Sequence, residues 1–260
     1  MFVRVVSRAV IAIALAAISA CGAWPFGAHY EYEEQMYLSV DGRATVVVDA
    51  SLPALVVLRG LPIDSSPSSS VDRDGIRRVL ESAGCRVDSV SRLWTRSGRR
   101  FVQMQIAIAD VRQPQPCGLL AWSSYSLTPI DQDGLEFQQT VRPARQILAA
   151  TAAGWDGTEL VAFKLHAPSR IRYQNVKRLD GTNGTFERGN ILTWEQRLKD
   201  CLDGTPVAMD VRMDATSILH TTLWLFAGSF AAAVLLLLMI IWLVVRRGRK
   251  LAGQNNGATG

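Results

Sequence analysis

The chain has 260 residues, 48% apolar and 20% charged, a composition that holds one or two globular domains and excludes collagen-like, coiled-coil and wholly disordered chains. A formal net charge of +5 looks like polyanion binding until the charges are located. Arg4 and Arg8 precede every acidic residue, and Arg246, Arg247, Arg249 and Lys250 follow them all, so between Glu31 and Asp214 the other 22 basic residues meet all 23 acidic ones. The middle of the chain is close to neutral, which argues against nucleic acid as a partner.

From the N-terminus, Arg4 and Arg8 lead into residues 9–20, twelve mostly small apolar residues. As helix these reach about 18 Å, which suits a signal-peptide core and falls short of a membrane crossing. Residues 1–20 are therefore read as a signal peptide. The run Ile18-Ser19-Ala20-Cys21-Gly22 resembles the lipobox of bacterial lipoproteins and nominates Cys21 for lipidation. Ordinary signal cleavage and a retained N-terminal helix are the alternatives. Each leaves residues 21–217 as a domain outside the cytoplasm.

Within that domain Asp-Gly occurs six times, and the pair favours tight turns because both residues tolerate positive φ. Asp41-Gly42 predicts a hairpin of 31–40 with 43–50. Glu31, Glu33 and Glu34 crowd its first strand, which reads as a solvated edge strand. Residues 52–59, between Pro53 and Gly60, predict a short helix. The run 65–70, all Ser apart from Pro67, is a loop. Ile76, Val79, Leu80 and Ala83 fall at i, i+3, i+4 and i+7, with Asp72 or Asp74 as cap and Gly84 as stop, an amphipathic helix. Val102, Met104, Ile106 and Ile108 alternate with polar residues and predict a strand over 101–108. Asp133-Gly134 predicts a second hairpin, 121–127 with 135–141. Trp94, Phe101 and Trp122 are expected in the core. A third helix is read over 145–153, and 144–157 is where the domain would divide if it is two. Alternation resumes at Val161, Phe163 and Leu165, at Leu192, Trp194 and Leu198, and at Val207, Met209, Val211 and Met213. The sum is an α+β domain, mainly antiparallel β with one or two amphipathic helices.

Residues 223–245 carry no charge, and 23 residues give roughly 35 Å of helix against a hydrocarbon core of about 30 Å. Fourteen of them are Leu, Ile, Val or Phe, favouring insertion by about 4–8 kcal/mol as an upper bound. A transmembrane helix is assigned to 218–245, with Trp224 and Trp242 as interfacial anchors. Arg246 and Arg247 open a basic tail, 246–260, which the positive-inside rule puts in the cytoplasm.

With Cys21 lipidated, three cysteines remain in an oxidising compartment. Cys85 follows the helix and Cys117 lies in a Pro/Gly loop, so these two are the disulfide candidates, with Cys201 a buried thiol. His29, His166 and His220 stand too far apart in sequence to suggest a metal site, and no cofactor is indicated. Sequence signatures of serine hydrolases, zinc proteases, P-loops and dinucleotide sites do not occur. A catalytic pair would have to come from distant residues, such as His166 with Glu195 on neighbouring strands. Arg77, Arg78, Arg99, Arg100, Arg170 and Arg172 are candidates for a face directed at anionic headgroups.

The run Pro168-Ser169-Arg170-Ile171, then Asn175, then Gly189-Asn190-Ile191-Leu192-Thr193-Trp194-Glu195, followed by a strand and an apolar helix, resembles the membrane-proximal end of the mycobacterial LppM-like lipoproteins. Residues 37–50, with Asp41-Gly42, are similar to the opening of that ectodomain. Residues 61–160 depart from it. The resemblance implies a mixed α/β ectodomain that binds cell-envelope lipids, without established catalysis. The expected function is a non-enzymatic envelope protein whose partners are membrane lipids, a glycolipid or an envelope protein. An envelope hydrolase or transferase is one alternative, and a structural subunit packing through Gly228, Ser229 and the adjacent alanines is the other.

Overall fold

A computed structural model describes residues 29–143, 153–184 and 190–255. The signal segment, Cys21 and nearly all of the helix expected over 145–153 lie outside them. The described residues form two β-sheets, packed face to face, and four helices.

The first hairpin forms as expected, β1 (Tyr30–Leu38) pairing antiparallel with β2 (Ala44–Ser51) around Gly42, whose φ is 91°. Its first strand is not at an edge. Strand β1 also pairs in parallel with β8 (Leu160–His166), so it is interior to a seven-stranded sheet and its acidic residues are partly or fully buried. That corrects the edge-strand reading: the carboxylates are paired inside the protein and do not guard an edge. Beyond β8 lies β10 (Ile191–Arg197). On the other side β2 pairs with β5 (Arg99–Ile108), and β5 carries β3 (Val87–Val90) and β4 (Trp94–Arg96). The second sheet has the order β6 (Ser123–Pro129), β7 (Gly134–Val141), β11 (Val207–Asp214), β9 (Ile171–Gln174).

The chain leaves β2 directly into α1 (Leu52–Arg59), where Ser51 caps the Ala54 N–H and Gly60, at φ 69°, closes the C-terminus. Helix α2 (Arg73–Ser82) starts on the Asp72 cap and buries Ile76 and Leu80. Asp74-Gly75 sits in its first turn and makes no hairpin. Strand β10 stops at Arg197, and Leu198 opens a short helix, α3 (Leu198–Leu202), instead of extending the strand. Trp94 is another correction: it is 37% exposed, stacked on Phe101, whereas Phe101 and Trp122 are buried.

The inner faces carry the alternating residues, among them Val46, Val48, Met104, Ile106, Phe163 and Leu165 from the larger sheet and Phe137, Met209, Val211 and Met213 from the smaller. They form one core cluster holding residues from both sides of the expected 144–157 division, most of which lies outside the described residues. Helix α4 (Ile218–Asn255) continues β11 after three residues.

Candidate functional site: an exposed apolar helix and a buried polar junction

Two features of the structure are not explained by core packing alone. The first is α4. Its stretch Thr222–Leu243 is long and apolar enough to cross a membrane, and none of it is buried against the domain. Trp224 and Trp242 are 69% and 56% exposed. Leaving 22 residues this apolar in water would cost far more than a domain's net stability. The root of the helix is held firmly. The Asp214 N–H donates to the Arg170 carbonyl and the Ala215 N–H to the Asp133 carbonyl, at 2.9 and 2.8 Å. Arg172 binds the carboxylates of Asp214 and Asp131 and the Asp133 carbonyl. The hydroxyl of Ser169 donates to the Asp214 carbonyl, and the Asn190 amide to that of Ser169. Ser169, Arg170, Arg172 and Asn190 therefore fix the end of the last strand just ahead of the helix.

The second feature lies between the sheets. Arg59, at the end of α1, is 2% exposed. Its Nε donates to the Tyr32 hydroxyl at 2.9 Å and its Nη2 to Glu34 Oε2 at 3.0 Å. Tyr32 in turn donates to Glu34, and the Gln139 amide crosses from the smaller sheet to Glu34 Oε1 at 3.1 Å. The guanidinium lies over the rings of Tyr32 and Trp122. Burial works against the charge of Arg59, and Tyr32 and Glu34 restore part of it. Burial also holds the Tyr32 and Tyr125 hydroxyls well above 10. Arg59 Nη1 and Trp122 Nε1 are buried without a hydrogen-bond partner. This junction staples the two layers, and the sequence offered no sign of it, since its members come from α1, β1, β7 and the approach to β6.

The expected disulfide residues meet: Cys85 and Cys117 are bonded, and Cys201 is a buried free thiol that donates to Gln196 Oε1 at 2.8 Å. Burial pushes that thiol up to about 12. His166 and Glu195 share the outer face of the larger sheet, but His166 is opposite Ile191 and Glu195 opposite Ala162. Four residues along a strand is about 13 Å. His166 stacks on Tyr37 and bonds Gln35, while Glu195 takes the Tyr30 hydroxyl, so no catalytic pair is assembled there. Among the described residues no three His, Cys, Asp or Glu side chains are grouped to hold a metal ion.

The six arginines do not gather on one surface. Arg77 binds Glu81 and the carbonyls of Val87 and Asp88, Arg99 binds Glu31 and Glu159, and Arg100 takes the carbonyls of Ser69 and Val71. Arg172 is spent in the clamp. Arg78 and Arg170 are exposed. The side chains of Arg246 and Arg247 lie outside what the structure describes.

No family model matches the chain, and no curated protein matches it. Among solved structures, the NMR structure of the folded domain of LppM from Mycobacterium tuberculosis aligns with 76% of this chain and 97% of its own, at 11% identity and a TM-score of 0.38.

Proposed function

We propose that this is a single-pass protein of a bacterial cytoplasmic membrane, with its two-sheet domain outside the cytoplasm, acting without catalysis as a binding module for lipid, glycolipid or a protein partner at the membrane surface. The observation that carries the reading is the exposed Thr222–Leu243 helix, which is stable in oil and not in water. The Cys85–Cys117 bond supports the outward placement of the domain, because such bonds persist in oxidising compartments. Arg246, Arg247, Arg249 and Lys250 supply the cytoplasmic charge that the positive-inside rule asks for. The separation of His166 from Glu195 and the pairing of most interior charges with one another favour binding over chemistry.

Alkaline carbonate washing of membranes tests the anchor once the N-terminal attachment is removed: with residues 1–21 replaced by a cleavable signal peptide, the chain that keeps α4 stays in the pellet, and the same chain ending at Ser217 is released. Release of the chain that keeps α4 refutes it. Mass spectrometry of the detergent-extracted protein then reads acyl chains on Cys21 and any lipid carried along; a protein free of lipid and indifferent to vesicles removes the lipid form of the binding role.

A further inference from the structure

The clamp at the root of α4 limits where the domain can stand. Ala215 is hydrogen-bonded to the β6–β7 turn through the Asp133 carbonyl, and the apolar span begins seven residues later at Thr222. Three of those steps are non-helical and four are helical, so the path from Ala215 to Thr222 is at most about 17 Å, and bends at Ala215 and Thr216 shorten it. A headgroup layer occupies roughly 5–8 Å of that distance on each side of the hydrocarbon. The turn at residues 130–133 is bonded to Ala215 and the loop at 167–170 to Asp214, and both are thereby held close to the lipid surface. The β6–β7 turn opens with Ile130, 42% exposed, whose N–H closes the turn on the Gly134 carbonyl, and the loop presents Arg170, also exposed.

We infer that Ile130 and Arg170 form a contact surface for the phospholipid headgroups of the same bilayer that α4 crosses, Ile130 entering the interface and Arg170 meeting the phosphates. This deepens the anchored reading and rests on it. Charge is not the main attraction. Arg170 and Arg172 stand with Asp131, Asp133 and Asp214, for a local net of −1, and Arg172 neutralises two of these carboxylates by direct pairing. Such pairing suits an ion cluster to a medium of lower dielectric than bulk water. The tether supplies the local concentration, and the exposed Ile130 supplies the apolar contact.

The surface also has a direction. The 167–170 loop follows His166, the last residue of β8, whereas Arg99, Arg100 and the Trp94 hairpin are at the end of the sheet where β8 begins at Leu160. Six residues of strand separate the two ends by about 20 Å. Trp94, Arg99 and Arg100 therefore face away from the membrane, and at the opposite end Arg170 is exposed while Arg172 is held by Asp131 and Asp214.

The test is photo-crosslinking of the full chain in vesicles of phosphatidylethanolamine and phosphatidylglycerol, with p-benzoylphenylalanine placed in turn at Phe230, Ile130 and Trp94, and phospholipid adducts read by mass spectrometry. The inference expects adducts from positions 230 and 130, and at least tenfold fewer from 94. Adducts at 230 with none at 130, or equal yields at 130 and 94, overturn it while leaving the anchor intact. No adduct at 230 overturns the anchor and this contact together.

Discussion

Arg59 is where a single side chain matters most to the fold. Its charge is buried against Glu34, and removing one member of such a pair strands the other in the interior. Arg59→Ala is expected to destabilise the protein by about 3–5 kcal/mol in urea unfolding, and the double variant Arg59→Met with Glu34→Leu to recover much of that loss. A single-variant loss below about 1 kcal/mol would mean the junction does not hold the layers. The same region sets a pH limit. Tyr32 and Tyr125 are held well above 10 and Cys201 at about 12, all by burial first. In the unfolded chain these groups ionise near 10 for tyrosine and 8.5 for cysteine, so above those values the folded state holds more protons than the unfolded state. Their stabilising effect is complete at neutral pH and is lost as pH rises from about 9 toward 12, by up to about 1.4 kcal/mol per pH unit for each group. Denaturation midpoints measured from pH 7 to 11 check this; an unchanged midpoint across pH 9–11 contradicts it. Cys201 was readable as a buried thiol and Trp122 as core, but the junction was not legible in the sequence, because Glu34, Arg59 and Trp122 lie in separate elements and Arg59 reads as an ordinary basic residue ending a helix.

Among the elements, α2 and the loop after it depend on two local devices. The Cys85–Cys117 bond spans a sequence separation of 32, which by loop-closure entropy is worth about 3–4 kcal/mol. Replacing both cysteines by serine is expected to cost that much and to raise hydrogen exchange in α2 before it does so in β1, β2 or β5. Uniform loosening of all four would count against a local role. Gly84 has φ 80°, and a Cβ there would meet the Pro116 carbonyl oxygen at 2.8 Å, so Gly84→Ala should cost about 1–3 kcal/mol in the same unfolding assay. The long alternating strands, the two Asp-Gly hairpins and α2 were readable because each repeats one period over six or more residues. Strands β3, β4 and β9 were not, having four, three and four residues and no periodicity of their own. They form because β5 and β11 present open edges to them. The place of β1 was misread for a related reason: acidic residues mark an edge only when nothing inside the protein pairs with them, and Glu31 and Glu34 have Arg99 and Arg59.

For the molecule as a whole, the fold class and the exposed C-terminal helix follow from patterns long enough to survive without tertiary information. The clamp at the root of α4 does not. Ser169 and Arg170 stood in the sequence as part of a resemblance, but their physical role comes from contacts with Asp214, which only the second sheet brings within reach. The proposed function requires one orientation in the bilayer: the two-sheet domain outside, the basic end of α4 inside. A pair of reporters fused after Gly260, an alkaline phosphatase in one copy and a β-galactosidase in the other, reads that orientation. With Gly260 in the cytoplasm, galactosidase activity is high and phosphatase activity negligible; high phosphatase activity at that position means the opposite orientation and refutes the proposal.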